Sequence, residues 1–303
     1  MNIICQFCKG KNLRSKYKYR DPAHPDESNK FFGLNASIIT CNDCEISYCA
    51  DVTKKNLDLY YKSIYLDKKQ RLHRFAEFNS RFFSQVIYYI NHFKLFKNIK
   101  VLEIGPNKLG ILPSLKIFQN LIQYFYYDQT DIYLKGENIT KLGNYWDPIK
   151  DKLPNVDLIW MSHSLEHIHP NDLILILEKF YESLSNNGKI FIEIPNDLKS
   201  STFKVPHTLF FSRNGLVKIF KKIGFKIIAI SELHDHEDIE KRNFQNRHEI
   251  NDKNKKKNNL VISIYLFFQK FLPNKFVKKI AFKHFVLNGP YTNLPIIRMI
   301  VQK

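Results

Sequence analysis

Four of the five cysteines fall into two C-x-x-C pairs, Cys5 with Cys8 in "CQFC" and Cys41 with Cys44 in "CNDC". A C-x-x-C pair on a tight turn aims two sulfurs at one point, and two such turns brought together complete a tetrahedral shell for Zn²⁺. Four thiolates leave no open position for water or substrate, so the metal's role is expected to be structural. Two disulfides, or reduced thiols in a core, form the competing reading. The opening "MNIICQFCKG" carries charge and cysteines where an export signal needs an apolar run, which points to a cytoplasmic chain and favours metal. Cys49 stands outside the pattern and reads as a buried thiol.

A second set of residues surrounds "VLEIGPNKLG", where an apolar run ends in Glu103, Gly105, Pro106 and Asn107. Glycine lets backbone approach a ligand closely, and Asp128, in "FYYDQT" at the next strand end, is placed to accept hydrogen bonds from a ribose diol. Singly, these residues are a turn and a solvated acid. Their order, with about two dozen residues between Glu103 and Asp128, matches one strand–helix–strand unit. "MSHSLEHIHP" follows a later strand and brings Ser162 and His163 to the same sheet edge. His207, in "KVPHTLFFS", follows "KIFIEIP" and projects over that edge as well, either as a proton acceptor or merely ordering its loop. "SLEHIHP" also reads as a helix start in which Glu166 caps backbone amides and His167 packs.

The elements that must position these residues are legible in the hydrophobic pattern. From Ile99 onward, short apolar runs ("IKVLEIG", "LIQYFYYD", "VDLIWMS", "GKIFIEIP", "FKIIAIS") alternate with helical stretches ("NDLILILEKFYESL", "RNGLVKIFKKIG"). Near-continuous apolar strands are covered on both faces, and the intervening helices supply the covers. The expectation is an α/β chain with a Rossmann-like, doubly wound sheet. Residues 1–50 form a small zinc-ribbon-like module, with "RDPAHPDESNK" a loop between two short strands, and 51–98 a helical connector. The sheet core spans 99–232, a charged linker or lid 233–259, and a basic C-terminal helical extension 260–303.

"VLEIGP" with Asp128, then "VDLIWMSHSLEHIHP", "NNGKIFIEIPN" and "HTLFFSRNGLVKIFKKIGF", resembles the class I S-adenosylmethionine-dependent methyltransferases over about Ile99 to Ser231. Within these, a cysteine module ahead of the core is similar to bacterial enzymes acting on sugars and small metabolites. The resemblance implies that Glu103 anchors the methionine end of S-adenosylmethionine with Gly105 against it, flanked by Pro106 and Asn107. It further implies that Asp128 holds the ribose hydroxyls, that Ser162 and His163 line the methionine side and substrate mouth, and that Asp147 is the candidate adenine contact. Asn107 replaces the family's usual second glycine. Of the Tyr-x-Glu-His arrangement of C-methylating relatives only His207 remains, which favours O- or N-methylation, with His207 and His163 as candidate catalytic residues.

The chain is 303 residues long, and 44% hydrophobic content with 14% aromatics indicates a globular protein. Its net charge of +18 suggests phosphate-rich partners, yet the excess is spread over a sequence saturated with Lys, Asn and Ile. The expected activity is methylation of a sugar or nucleotide-linked sugar in surface polysaccharide biosynthesis. An RNA methyltransferase with a zinc ribbon and a catalytically inactive binding protein are the alternatives. The absence of a base-stacking basic motif argues against nucleic acid. "NKKKNNLVISIYLFFQKFLPNKFVKKIAFKHF" allows peripheral contact with the inner membrane face, but is too short in its apolar runs to span.

Overall fold

The computed structural model describes residues 4–18, 37–61, 80–93, 98–106, 110–119, 121–128, 137–144, 146–200, 206–233 and 296–303. Asn107, the loop at 20–30, part of the expected connector, nearly all of the expected linker, and residues 260–295 of the expected extension lie outside them.

Seven strands form the main sheet: β4 (Asn98–Ile104), β5 (Leu121–Tyr127), β6 (Ile139–Gly143), β7 (Val156–Ser162), β8 (Leu184–Pro195), β10 (Lys226–Leu233) and β11 (Ile296–Gln302). Their order is β10-β11-β8-β7-β4-β5-β6. The five strands from β8 to β6 are parallel, whereas β11 runs antiparallel to both β8 and β10. The order reverses between β4 and β7, so the carboxyl ends of those strands flank the crevice where open α/β sheets take ligands.

Both faces of the sheet are covered, as the apolar runs require. Val101, Leu158, Trp160 and Phe191 point to α2 (Ser80–His92), against Phe83, Val86 and Tyr89. Leu102, Ile159, Ile190 and Ile192 point the other way, to α4 (Leu173–Ser183) and α6 (Arg213–Ile223) through Leu177, Phe180, Ile219 and Phe220. The remaining helices are α1 (Lys54–Tyr60), α3 (Leu112–Lys116) and α5 (Asp197–Ser200). The alternation of Trp160 with Ile159 and of Phe191 with Ile190 is the period of two that divides one strand between two cores.

One expectation is corrected by the end of the chain. Ile296–Gln302 is not part of a helical extension but a strand in the interior of the sheet, between β8 and β10. Its first six residues are buried, including Arg298. The cation is accommodated because Glu193 of β8 stands directly opposite it in the register.

The N-terminal module is built on β1 (Leu13–Lys18), β2 (Ser37–Cys41) and β3 (Ile46–Cys49) in antiparallel order. It is not closed on itself. β9 (Leu209–Phe211), which follows β8 and α5 in the chain, pairs antiparallel with β3 as a fourth strand, Ser47 opposite Phe210. Phe7, Ile46 and Tyr48 share one apolar cluster with Leu209, Leu216 and Phe220. Helix α6 also abuts the second cysteine turn, since a Cβ on Gly215 would lie 2.5 Å from the Glu45 carbonyl oxygen. Backbone on both sides prevents easy relief. Gly215→Ala is therefore expected to lower stability by about 1–3 kcal/mol through overpacking, read as a lower urea midpoint with unchanged slope.

Candidate active site and cysteine cluster

A cavity of about 630 Å³ opens at the carboxyl ends of β4, β5 and β7, within the ~300–1,000 Å³ typical of small-molecule sites. At one end it is lined by Gly105, Asp128, Asn144, Trp146 and Asp147, at the other by His163, Ser164, His167 and Pro206. Helix α1 and the residue after it contribute Leu57, Asp58 and Tyr61 to the wall. The N-terminal part of the chain thus supplies one side of the site.

Gly105 ends β4 at φ +65°, the left-handed region that glycine enters without cost, and an added Cβ would come within 3.2 Å of Ser164 Oγ. Ser164 is fixed there by donating to the Ile104 carbonyl at 2.5 Å. Asp128 is 5% exposed and its amide donates to the Gly143 carbonyl at 3.2 Å, which tethers the end of β5 to β6. Asp147 lines the cavity while accepting from the Ile149 amide at 3.0 Å. Pro106 is buried beside Gly110, and Asn107 lies outside the described residues.

Glu103 and Ser162 lie on the α2 side of the sheet. Each shares its strand face with an α2-facing residue, Val101 and Trp160 respectively, and neither lines the cavity. Glu103 lies behind the loop, accepting from the Ile111 amide at 2.8 Å and from the Tyr124 hydroxyl. Burial pushes its carboxyl up to about 7 despite those two donors. Its Oε1 is buried with no hydrogen bond among the described residues. Ser162 Oγ accepts from Gln85 Nε2 at 2.8 Å and from Arg81 Nη2 at 3.2 Å. It belongs to a buried network around Glu193.

That network was not anticipated from the sequence. Glu193 accepts from Arg298 Nε at 2.6 Å, Arg81 Nε at 2.9 Å and Gln85 Nε2 at 2.7 Å. Burial alone would raise its carboxyl, but Arg298, Arg81 and His163 outweigh burial and hold it well below the usual range. His163, at φ +54°, stands between two buried carboxylates: Nδ1 is 3.4 Å from Glu166 and Nε2 3.4 Å from Glu193.

Glu166 does not cap a helix. It sits in a single 3₁₀ turn, Leu165–His167, buried, with neither carboxylate oxygen hydrogen-bonded among the described residues. Burial would raise its carboxyl; His163, His167 and His207 together hold it at about 2. His167 is pushed down to about 4 by burial, so its imidazole is neutral at pH 7. His207 Nδ1 lies 2.7 Å from Asp197 Oδ2, and its ring meets that of His167 edge-on at 4.9 Å. The structure thus brings His163 and His207 to one cluster, with Glu166 and His167 between them.

The cysteine turns converge as well. Cys5 Sγ lies 3.7 Å from Cys44 Sγ and Cys8 Sγ 3.5 Å from Cys41 Sγ, and all four sulfurs lie within 4.8 Å of one another. A disulfide needs about 2.05 Å. A tetrahedron with Zn–S near 2.3 Å has edges of about 3.8 Å, which these separations approach. Cys49 is buried apart from them, its thiol pushed up to about 12 by burial.

The family model described as a methyltransferase domain matches residues 73–230. No curated protein sequence matches the chain. Among solved structures the chain is similar to a SAM dependent methyltransferase from Archaeoglobus fulgidus, 19% identical, covering 73% of this chain and 92% of that one with a TM-score of 0.45. It is also similar to 1,6-didemethyltoxoflavin-N1-methyltransferase from Burkholderia thailandensis, solved with 1,6-didemethyltoxoflavin and S-adenosylhomocysteine. That pair is 12% identical over 82% of this chain and 85% of the other, with a TM-score of 0.44.

Proposed function

The chain belongs to the methyltransferase domain family and is an S-adenosylmethionine-dependent methyltransferase, and from that premise we propose that it methylates an oxygen or nitrogen of a sugar or nucleotide-linked sugar in surface polysaccharide biosynthesis. The observation that carries the substrate class is the cavity's far end, where Asp58, His163 and His167 supply hydrogen-bonding groups suited to a polyhydroxylated acceptor. Asp172 is paired there with Lys54 at 2.7 Å.

The residues of the near end fit the cofactor. Gly105 leaves backbone open to close approach and Asp128 offers a carboxylate for the ribose diol, while behind the loop Glu103 Oε1, without a hydrogen bond among the described residues, suits an ammonium. S-adenosylmethionine supplies an electrophilic methyl group on a sulfonium. The chain's part is to align the acceptor and remove its proton. His163 or His207 would take the proton of the acceptor atom and so free the lone pair that receives the methyl group the bound cofactor would supply. Asp197 orients His207 and holds its proton on Nδ1, leaving Nε2 as the acceptor nitrogen.

Incubation with methyl-labelled S-adenosylmethionine and separate pools of nucleotide sugars and RNA tests the reading. Label in the nucleotide-sugar fraction supports it; label in RNA alone, or in neither, overturns it. Gly105→Ala is expected to weaken S-adenosylmethionine binding at least about tenfold in calorimetry, because the left-handed backbone strains any side chain by ~1–2 kcal/mol and the methyl crowds Ser164. Unchanged affinity would remove Gly105 from the cofactor site.

We also propose that Cys5, Cys8, Cys41 and Cys44 hold one structural Zn²⁺. The convergence of their four sulfurs to within 4.8 Å of one another supports it. Among the described residues no helix is long and apolar enough to cross a membrane.

A further inference from the structure

The 3₁₀ turn after β7 places Glu166 beside His167, which lines the cavity, and the segment entering β9 brings His207 against them. The Thr208 amide donates to the Glu166 carbonyl at 2.8 Å, and Thr208 Oγ1 to the Ile168 carbonyl at 2.5 Å. These bonds clamp the residue after His207 to the turn. One ligand atom from each of Glu166, His167 and His207 then lies within 4.8 Å of the others.

The polar atoms of this cluster are unusual for a structural contact. Both oxygens of Glu166 and Nδ1 of His167 are buried with no hydrogen bond among the described residues. The nearest ring nitrogens to Glu166, His163 Nδ1 at 3.4 Å and His167 Nε2 at 3.9 Å, stand too far for strong hydrogen bonds. A buried carboxylate left without a hydrogen bond is costly, so a ligand is wanted. His207 carries the outer support of a metal-bound imidazole, a carboxylate, Asp197, 2.7 Å from Nδ1, so that Nε2 would be the ligating nitrogen.

We propose that Glu166, His167 and His207 bind a divalent cation at the acceptor end of the cavity, distinct from the cysteine cluster. Two imidazoles and a carboxylate suit Mn²⁺, Fe²⁺, Co²⁺ or Zn²⁺, and three protein donors leave coordination positions open. Because His167 lines the cavity, those positions face it. On the methyl-transfer reading above, they take an acceptor hydroxyl and make its proton easier to remove. His207 is then a ligand, and His163 is left to accept the proton.

Mn²⁺ is the probe of choice because it favours nitrogen and oxygen over thiolate, and its free form is counted by electron paramagnetic resonance. The full-length chain is expected to bind one Mn²⁺ beyond whatever the cysteines hold. Glu166→Gln and His207→Ala should each weaken binding more than about 100-fold, and Asp197→Asn, an outer-shell change, about 10-fold. Asp197→Asn keeps all three ligands and serves if a ligand variant fails to fold, which circular dichroism will report. No binding at millimolar Mn²⁺, or binding indifferent to both Glu166→Gln and Asp197→Asn, overturns the proposal. Calorimetry with S-adenosylmethionine on the same protein separates the two readings. Absent cofactor binding would count against methyl transfer alone, since the Mn²⁺ count is read without turnover.

Discussion

Arg298→Met is expected to lower stability by about 3–5 kcal/mol, the cost of leaving one member of a buried ion pair behind. Arg298 and Glu193 are 1% and 0% exposed and face each other across β11 and β8, with Nε 2.6 Å from Oε2. Arg298 also donates through Nη1 to Ser84 Oγ at 2.9 Å, which ties the last strand to α2. Without the guanidinium, Glu193 retains Arg81, which is partly exposed, Gln85 and His163. Combining Arg298→Met with Glu193→Gln should cost less than the sum of the two, with a coupling of roughly 1–3 kcal/mol. The pH dependence has a defined sign. Glu193's folded value lies below the ordinary glutamate value near 4.3, so its contribution is complete above that value and is lost as pH falls through the folded one. Removing Arg298 raises the folded value and moves acid unfolding to higher pH. Urea titrations showing a loss under about 1 kcal/mol with an unmoved acid midpoint would reject the assignment.

The same two residues explain why part of this fold was legible in the sequence and part was not. "VDLIWMS" and "KIFIEIP" read as strands because both faces of β7 and β8 are buried, which forces continuous apolar runs. "PIIRMIVQK" has the same character, but a lone arginine in an apolar run also fits a basic helix. The discriminating signal was the lone acid in "KIFIEIP", a partner more than a hundred residues away. β9 was hidden for a related reason. "LFF" is three residues long, and its pairing with β3 is set by tertiary packing, not by local propensity. The cysteine turns were legible because their spacing is itself the geometry. The strand face of Glu103 and Ser162 follows from parity: each sits two residues from a neighbour, Val101 or Trp160, that faces α2. Glu166 defeated the capping interpretation because its turn is a single 3₁₀ turn, and among the described residues its carboxylate is held by histidines without a hydrogen bond to backbone amides.

Cys44→Ser is expected to abolish metal retention and to lower the melting temperature by more than about 10 °C, equivalent to several kcal/mol in a chain of this size. Structural zinc contributes on the order of 10–16 kcal/mol of binding free energy in isolated zinc-finger peptides, comparable with the ~5–15 kcal/mol net stability of a whole domain. The effect should not remain local. Cys5, Cys41 and Cys44 share their apolar cluster with Leu209, Leu216 and Phe220, and β3 shares its sheet with β9. The chain leaving β3 leads directly into α1, from which Leu57 and Asp58 line the cavity. Loosening the cysteine turns therefore loosens the wall facing the histidines, and activity should fall with the metal content. Cys49→Ser is the control: equally buried but outside the cluster, it should keep one Zn²⁺ per chain and cost about 1–3 kcal/mol for a buried polar group. Metal analysis and melting curves that cannot tell Cys44→Ser from Cys49→Ser would reduce the four cysteines to core packing. A difference confined to Cys44 would make the metal the element that holds this wall of the active site in place.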